Sequence, residues 1–321
     1  MNSIIKNKQF VAINGIDHFV TTYSTNENNE VVIYVHGGPL QPDTYLSHIL
    51  AKAMSDKYTL VFYSQRGCGR TYYKNKKIDK NNDTATFDNL ICDLDELVKW
   101  AKDKYHKDKI ILMGHSYGTL IGIHYTSKHP ENIIQYVGIG QYVNMKASLA
   151  DVNDLINETG DKNNPQYENY KKAYDALCKD FSIENIGQVQ LLGRRVLPAP
   201  KDAIINNDYM KGLFKSGNYS INDLRWQLIC VNFKKYFYLA RHLIEKMINT
   251  NLKEEITTLE VPVVFITGVY DTACTLKQVE AYSSLLSAPS KSIISLEHHG
   301  HTPHFIEPDM FSSVFDNAFR K

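Results

Sequence analysis

Residues 109–113 form a short apolar run that stops at Gly114-His115-Ser116-Tyr117-Gly118, and the helix-like stretch TLIGIHYTSKH follows at once, up to Pro130. A strand that becomes a helix over so few residues must fold back sharply. The turn strains the backbone of its central residue, and a glycine on either side removes side chains that would strike neighbouring chain. The hydroxyl of Ser116 then stands above the end of a sheet, beside a helix N-terminus whose dipole favours developing negative charge. Ser116 is therefore a candidate nucleophile. The folds that can present it so are those in which strands lie side by side with helices packed over them.

The rest of the chain supplies such strands. Residues 9–13 and 18–23 are β-rich and flank the tight-turn pair Asn14-Gly15, so they read as a hairpin. Residues 31–35 and 58–63 are continuous apolar runs, of the kind buried on both faces of a parallel sheet. The first ends at HGGP and the second at QRGCGR. Leu90, Ile91, Leu94, Leu97, Val98, Ala101 and Tyr105 recur at helical spacing and predict a helix over 87–106. Further strands are read at 133–139, 263–267 and 292–296, and a closing helix near 309–320. This alternation predicts an α/β fold, a mostly parallel central sheet with helices on both faces. Residues 141–251 break the rhythm with polar loops and with helical patterns at 166–181 and 222–248. They read as a helical cap inserted between two parts of one core, 1–140 and 252–321.

Charge narrows the partners. Lys plus Arg number 36 and Asp plus Glu 35, so no long-range field favours nucleic acid or an anionic membrane. The basic cluster Lys74-Asn75-Lys76-Lys77 reads as a solvated loop. No apolar stretch approaches the roughly 18 residues of a membrane span, and no signal-peptide pattern opens the chain. The cysteines, Cys68, Cys92, Cys178, Cys230 and Cys274, are odd in number and scattered, unlike a disulfide framework or a zinc ligand set. Free thiols suit a reducing cytoplasm. The expectation is a cytoplasmic protein that acts on a small molecule or short peptide, with neither metal nor cofactor. The sequence does not reveal its oligomeric state.

A serine hydroxyl attacks only when a base takes its proton, and the base needs a third group to orient it. Asp271 lies just past the run VPVVFITG, and His301 lies past the last strand in Gly300-His301-Thr302-Pro303-His304. Both are expected at carboxyl ends of strands, the edge where Ser116 emerges. The chain order of serine, acid and histidine is one such sites use. His298, His299 and His304 read as loop or site-lining residues. An oxyanion needs two backbone N–H donors. Tyr117, directly after the serine, supplies one. The loop His36-Gly37-Gly38-Pro39 supplies the other, with Gly38 preferred and Gly37 next, and His36 as a brace.

Taken together and in order, HGGP, QRGCGR, GHSYG, GVYD and GHTPHFIEP resemble the prolyl aminopeptidase (proline iminopeptidase) branch of the α/β-hydrolases. The resemblance runs over roughly residues 30–140 and 255–321. It implies an α/β-hydrolase core with a helical cap at 141–251, a triad of Ser116, Asp271 and His301, and oxyanion donors at Gly38 and Tyr117. The chain departs from the pattern at Leu40, where glycine is usual, at Ser64, where aspartate is usual, and at His115 and Tyr117 around the serine. In the family, cap carboxylates hold the substrate's ammonium group. Here Asp151, Asp154, Glu158, Glu168, Asp223 and Glu245 are available, and no motif assigns one of them. Trp226 reads as helix packing in preference to a pocket wall. The implied chemistry is hydrolysis of an acyl bond through an acyl-enzyme. Removal of an N-terminal residue from a peptide fits, as does cleavage of a small ester, lactone or amide. A non-catalytic receptor of the same fold is the remaining reading.

Overall fold

The computed structural model describes residues 3–197 and 217–319. One sheet runs through it: β1 (Ile5–Ile13), β2 (Ile16–Ser24), β3 (Glu30–Val35), β4 (Tyr58–Tyr63), β5 (Ile110–His115), β6 (Ile133–Ile139), β7 (Val263–Gly268) and β8 (Lys291–Leu296). Their order across the sheet is β1-β2-β4-β3-β5-β6-β7-β8. The pairs β1/β2 and β2/β4 are antiparallel and all others are parallel. The first hairpin turns where Asn14 and Gly15 both take positive φ, 47° and 76°, as a two-residue loop between twisted strands requires.

The helices are α1 (Ser47–Met54), α2 (Gly69–Asn75), α3 (Phe87–Tyr105), α4 (Tyr117–Lys128), α5 (Met145–Thr159), α6 (Tyr167–Lys179), α7 (Ile183–Val196), α8 (Ile221–Val231), α9 (Phe233–Asn249), α10 (Leu252–Glu255), α11 (Leu276–Leu285), α12 (Pro303–Ile306) and α13 (Pro308–Phe319). Alternate residues of each strand point to opposite faces, and the sheet divides the core accordingly. Val31, Ile33, Val61, Ile110 and Leu112 pack on one side with Leu94 and Leu97 of α3 and Leu120 of α4. Val32, Tyr34, Phe62, Ile111 and Met113 pack on the other with Leu50 of α1 and Phe311 and Phe315 of α13. Both faces being covered explains why the central strands read as unbroken apolar runs.

Helices α5 to α9 lie between β6 and β7, within the span read as a cap; residues 198–216 of that span, like residue 320 of the closing helix, are outside the described residues. The pattern at 222–248 resolves into two helices, a correction with a local cause. Asn232 leaves helical geometry at φ −86°, ψ 83°, and its side chain accepts a hydrogen bond from Lys235 N at 3.2 Å. Asparagine is favoured at such an N-terminal cap because its side chain serves an amide that the helix leaves unpaired. The basic cluster at 74–77 likewise begins within α2, and Asn75 is buried, bonded to the backbone of Asp17 and Thr71. Arg70 of α2 grips the Asp223 carboxylate of α8 through Nε and Nη2, tying the core to the inserted helices.

Candidate active site

Ser116 sits between β5 and α4 at φ 54°, ψ −123°, a conformation that residues with a side chain rarely adopt. Its surroundings hold it there. Ser116 N donates to Ile139 O at 3.0 Å, and Ser116 O accepts from Thr119 N at 2.8 Å and Thr119 Oγ1 at 2.6 Å. The flanking glycines are steric requirements. A Cβ on Gly118 would stand 2.0 Å from Val35 O, and one on Gly114 would stand 2.7 Å from Gly118 O.

His301 Nδ1 donates to Asp271 Oδ2 at 2.8 Å. The other oxygen, Asp271 Oδ1, accepts from the amides of Ala273 at 2.8 Å and Cys274 at 2.9 Å. Burial works against the Asp271 charge. The neighbouring His301, with these hydrogen bonds, outweighs it and holds the carboxyl below the usual aspartate range. An ionised Asp271 fixes the ring with Nδ1 protonated and leaves Nε2 to accept a proton. His115 supports the same loop from behind, donating from Nε2 to His301 O at 2.9 Å. Burial, reinforced by His301, lowers His115 to about 3, so it stays neutral.

Two contacts bring the serine to this pair. Gly140 follows the residue that receives Ser116 N, and a Cβ on it would lie 2.9 Å from Asp271 Oδ2 and 3.3 Å from His301 Nδ1. The buried Cys274, whose amide holds Asp271, lies close to the Ser116 side chain. Asp271 and His301 thus meet past the carboxyl ends of β7 and β8, and Ser116 stands past the carboxyl end of β5, with β6 between β5 and β7 in the sheet. Sequence reasoning passed over both Gly140 and Cys274. A glycine directly after the apolar run 133–139 was the available signal for the first.

The loop after β3 is held by its carbonyl groups. His36 donates from Nδ1 to Gly37 O at 3.0 Å and accepts from Gln65 N at Nε2, 3.1 Å, while Gln65 Nε2 donates to His36 O at 2.8 Å. Burial lowers His36 to about 4, which keeps this tautomer neutral. Pro39 O accepts from the Tyr236 hydroxyl at 2.6 Å, and Leu40 O from Trp226 Nε1 at 2.8 Å. Gly37 packs against Ser116, its would-be Cβ 2.9 Å from Ser116 Cβ, and Gly38 follows at φ 125°. Tyr117 N opens α4, among the amides for which a helix has no internal partner.

Leu40 adopts φ 59°, which costs a residue other than glycine about 1–2 kcal/mol. Its buried side chain and the Trp226 hydrogen bond hold it there. Trp226 is therefore more than helix packing: it is a donor that fixes the loop. Trp226→Phe removes that donor and leaves Leu40 O unpaired, a cost of about 1–3 kcal/mol. We expect kcat on a short ester to fall about tenfold with KM changed less than about twofold. Steady-state kinetics checks this, and an unchanged kcat would refute the role.

The remaining histidines go elsewhere. His304 Nε2 lies 3.0 Å from the Tyr34 hydroxyl, and His299 Nε2 lies 3.6 Å from Glu307. Among the described residues no cluster of three or more His, Cys, Asp or Glu is placed to hold a metal ion, and no helix is long and apolar enough to cross a membrane.

With fold and site in view, the chain belongs to the alpha/beta hydrolase fold family, whose pattern it matches over residues 30–308. It is 26% identical over 330 residues to a probable aminopeptidase of Bacillus subtilis, covering 99% of this chain and 95% of that protein. It is 29% identical over 175 residues to a proline iminopeptidase of Saccharolobus solfataricus, about half of each chain (54% and 52%). Among solved structures, proline iminopeptidase from Mycobacterium smegmatis superposes with a TM-score of 0.66 at 16% identity, covering 98% of both chains. A proline iminopeptidase-related protein from Thermus thermophilus gives 0.65 at 15%, again over 98% of both. These structural likenesses establish the fold; the family and its aminopeptidase-named relatives support a hydrolase.

Proposed function

We propose that this chain is a serine hydrolase that releases N-terminal residues from short peptides through an acyl-enzyme. The observation that carries the reading is the Asp271–His301 pair, hydrogen-bonded at 2.8 Å beside a serine held at positive φ. Ser116 attacks the carbonyl carbon while His301 Nε2 takes its proton. The oxyanion receives the amides of Tyr117 and Gly38, with Gly37 lining the same wall. His301 then protonates the leaving amine. Water, deprotonated by His301, cleaves the ester on Ser116 and restores the hydroxyl. Residues 141–251 act as a cap that decides which acyl groups enter. The free cysteines fit a reducing compartment such as the cytoplasm.

A fluorophosphonate probe tests the class. It is expected to label the folded protein, and failure to label would favour a receptor. Turnover of proline naphthylamide beside short nitrophenyl esters tests the substrate. Ester turnover with no aminopeptidase turnover would replace the peptidase reading with a small-molecule esterase.

A further inference from the structure

Helix α8 is apolar on two sides, and the fold uses only one of them. Trp226 and Ile229 are buried, Trp226 Nε1 donates to Leu40 O at 2.8 Å, and Asp223 is held by Arg70. These tethers fix how the helix is rotated. Ile221, Leu224, Leu228 and Val231 recur at steps of three and four, so they share the opposite side. They stand in solvent: Leu228 is 61% exposed and Val231 69%. Phe233, 67% exposed, follows them at the start of α9. Single exposed apolar residues are ordinary on a protein surface, whereas a contiguous strip marks a place of contact.

The charges around the strip have one sign. Between residues 221 and 244 the only carboxylate is Asp223, which is buried and occupied by Arg70. Arg225 is exposed at the edge of the strip and reaches only the side-chain oxygen of Asn222, at 3.4 Å. Lys234 and Lys235, both exposed, open α9 beside Phe233. Among the described residues none of the three has an acidic partner. Arg241 differs, since it pairs with Asp83. The balance of 36 basic and 35 acidic residues over the whole chain conceals this local excess.

An apolar strip bordered by unpaired cations fits a surface that is apolar beneath and anionic above. The boundary of a bilayer that holds anionic lipid is such a surface: a helix lying in its plane places aliphatic and aromatic side chains among the acyl chains and its Lys and Arg at the head groups. We propose that the outer side of α8, with the start of α9, docks on an anionic membrane surface. A second copy of this chain fits less well. A two-fold contact sets this side against itself, so Arg225, Lys234 and Lys235 would face three more cations with no acid between them. A soluble acidic protein answers the charge but not the shape. Protein partners anchor through side chains seated in pockets, and the strip is the convex outside of a helix, to which fluid lipid moulds. The proposal is independent of the chemistry at Ser116. Its residues are also distinct from Trp226 and Tyr236, which hold the loop after β3 from the inner sides of the same two helices.

Flotation of the full chain with lipid vesicles tests the docking. Apparent affinity should be at least about tenfold higher for phosphatidylcholine vesicles carrying about 30% phosphatidylglycerol than for phosphatidylcholine alone. Raising salt from about 0.05 M to about 0.5 M should remove most of that difference. Leu228→Gln combined with Val231→Gln should weaken binding about tenfold or more, and Lys234→Gln combined with Lys235→Gln by a similar factor. Glutamine is a good helix former at these exposed positions, and the salt series on wild-type protein needs no variant. No binding to the anionic vesicles, equal binding to both kinds, or unchanged binding by the folded Leu228→Gln, Val231→Gln variant overturns the proposal. Light scattering over a concentration series checks the rival occupant: a dimer that the same double variant dissolves assigns the strip to a second copy and overturns the membrane reading.

Discussion

Ser116→Ala is expected to lower kcat by about 10⁴-fold or more on any substrate the wild type cleaves, and to end labelling by a fluorophosphonate. The size of the effect follows from what remains. Without the hydroxyl no acyl-enzyme forms, and only substrate binding and the loop amides still assist direct attack by water. The fold should survive, because the hydrogen bonds that hold position 116 run through its backbone to Ile139 and Thr119. Circular dichroism should therefore be that of the wild type, with a melting temperature within about 3 °C, a shift worth about 1 kcal/mol. Activity within about tenfold of wild type would remove Ser116 from the chemistry.

Gly118→Ala is expected to do the reverse and damage the fold itself. The added methyl would lie 2.0 Å from Val35 O and 2.6 Å from His36 O, both of them backbone atoms of β3 and the loop that follows it. No side chain can swing aside to make room. Helix α4 must move off the sheet, at a cost of about 3–5 kcal/mol, above the ordinary penalty for overpacking. Gly187, within α7, has no atom within 4 Å of the place a methyl would occupy, so Gly187→Ala should stabilise by about 0.5–1 kcal/mol. Denaturant unfolding of the two variants side by side checks the contrast. Equal stability of Gly118→Ala and wild type would mean that α4 does not approach β3 as described.

The parts of this molecule written in local pattern could be read in advance. Strands β4 and β6 fall at 58–63 and 133–139 because a strand covered on both faces must be apolar throughout. The proposed site residues Ser116, Asp271 and His301 could be singled out because each follows an apolar run with a short polar, glycine-bearing segment. What escaped depends on chain segments far apart in sequence. Gly140 looks like an ordinary strand end until the Asp271 carboxylate is placed against it. Trp226 and Tyr236 look like helix packing until carbonyl groups nearly two hundred residues away are found at their polar ends. Helices α1 and α2 escape because each is short and follows a segment whose polar, proline and glycine residues dominate the pattern.

The grip of Trp226 and Tyr236 on the loop after β3 has a consequence for engineering. Helices α8 and α9 are an obvious unit to graft from one relative to another when a new substrate range is wanted. In this protein the same two helices supply the donors that hold Leu40 in its costly backbone conformation. A chimera that replaced them without an indole at position 226 and a phenol at position 236 would let that segment relax. Under the proposed function, selectivity and catalytic power are soldered together here, and a graft aimed at the first will spoil the second unless both donors travel with it.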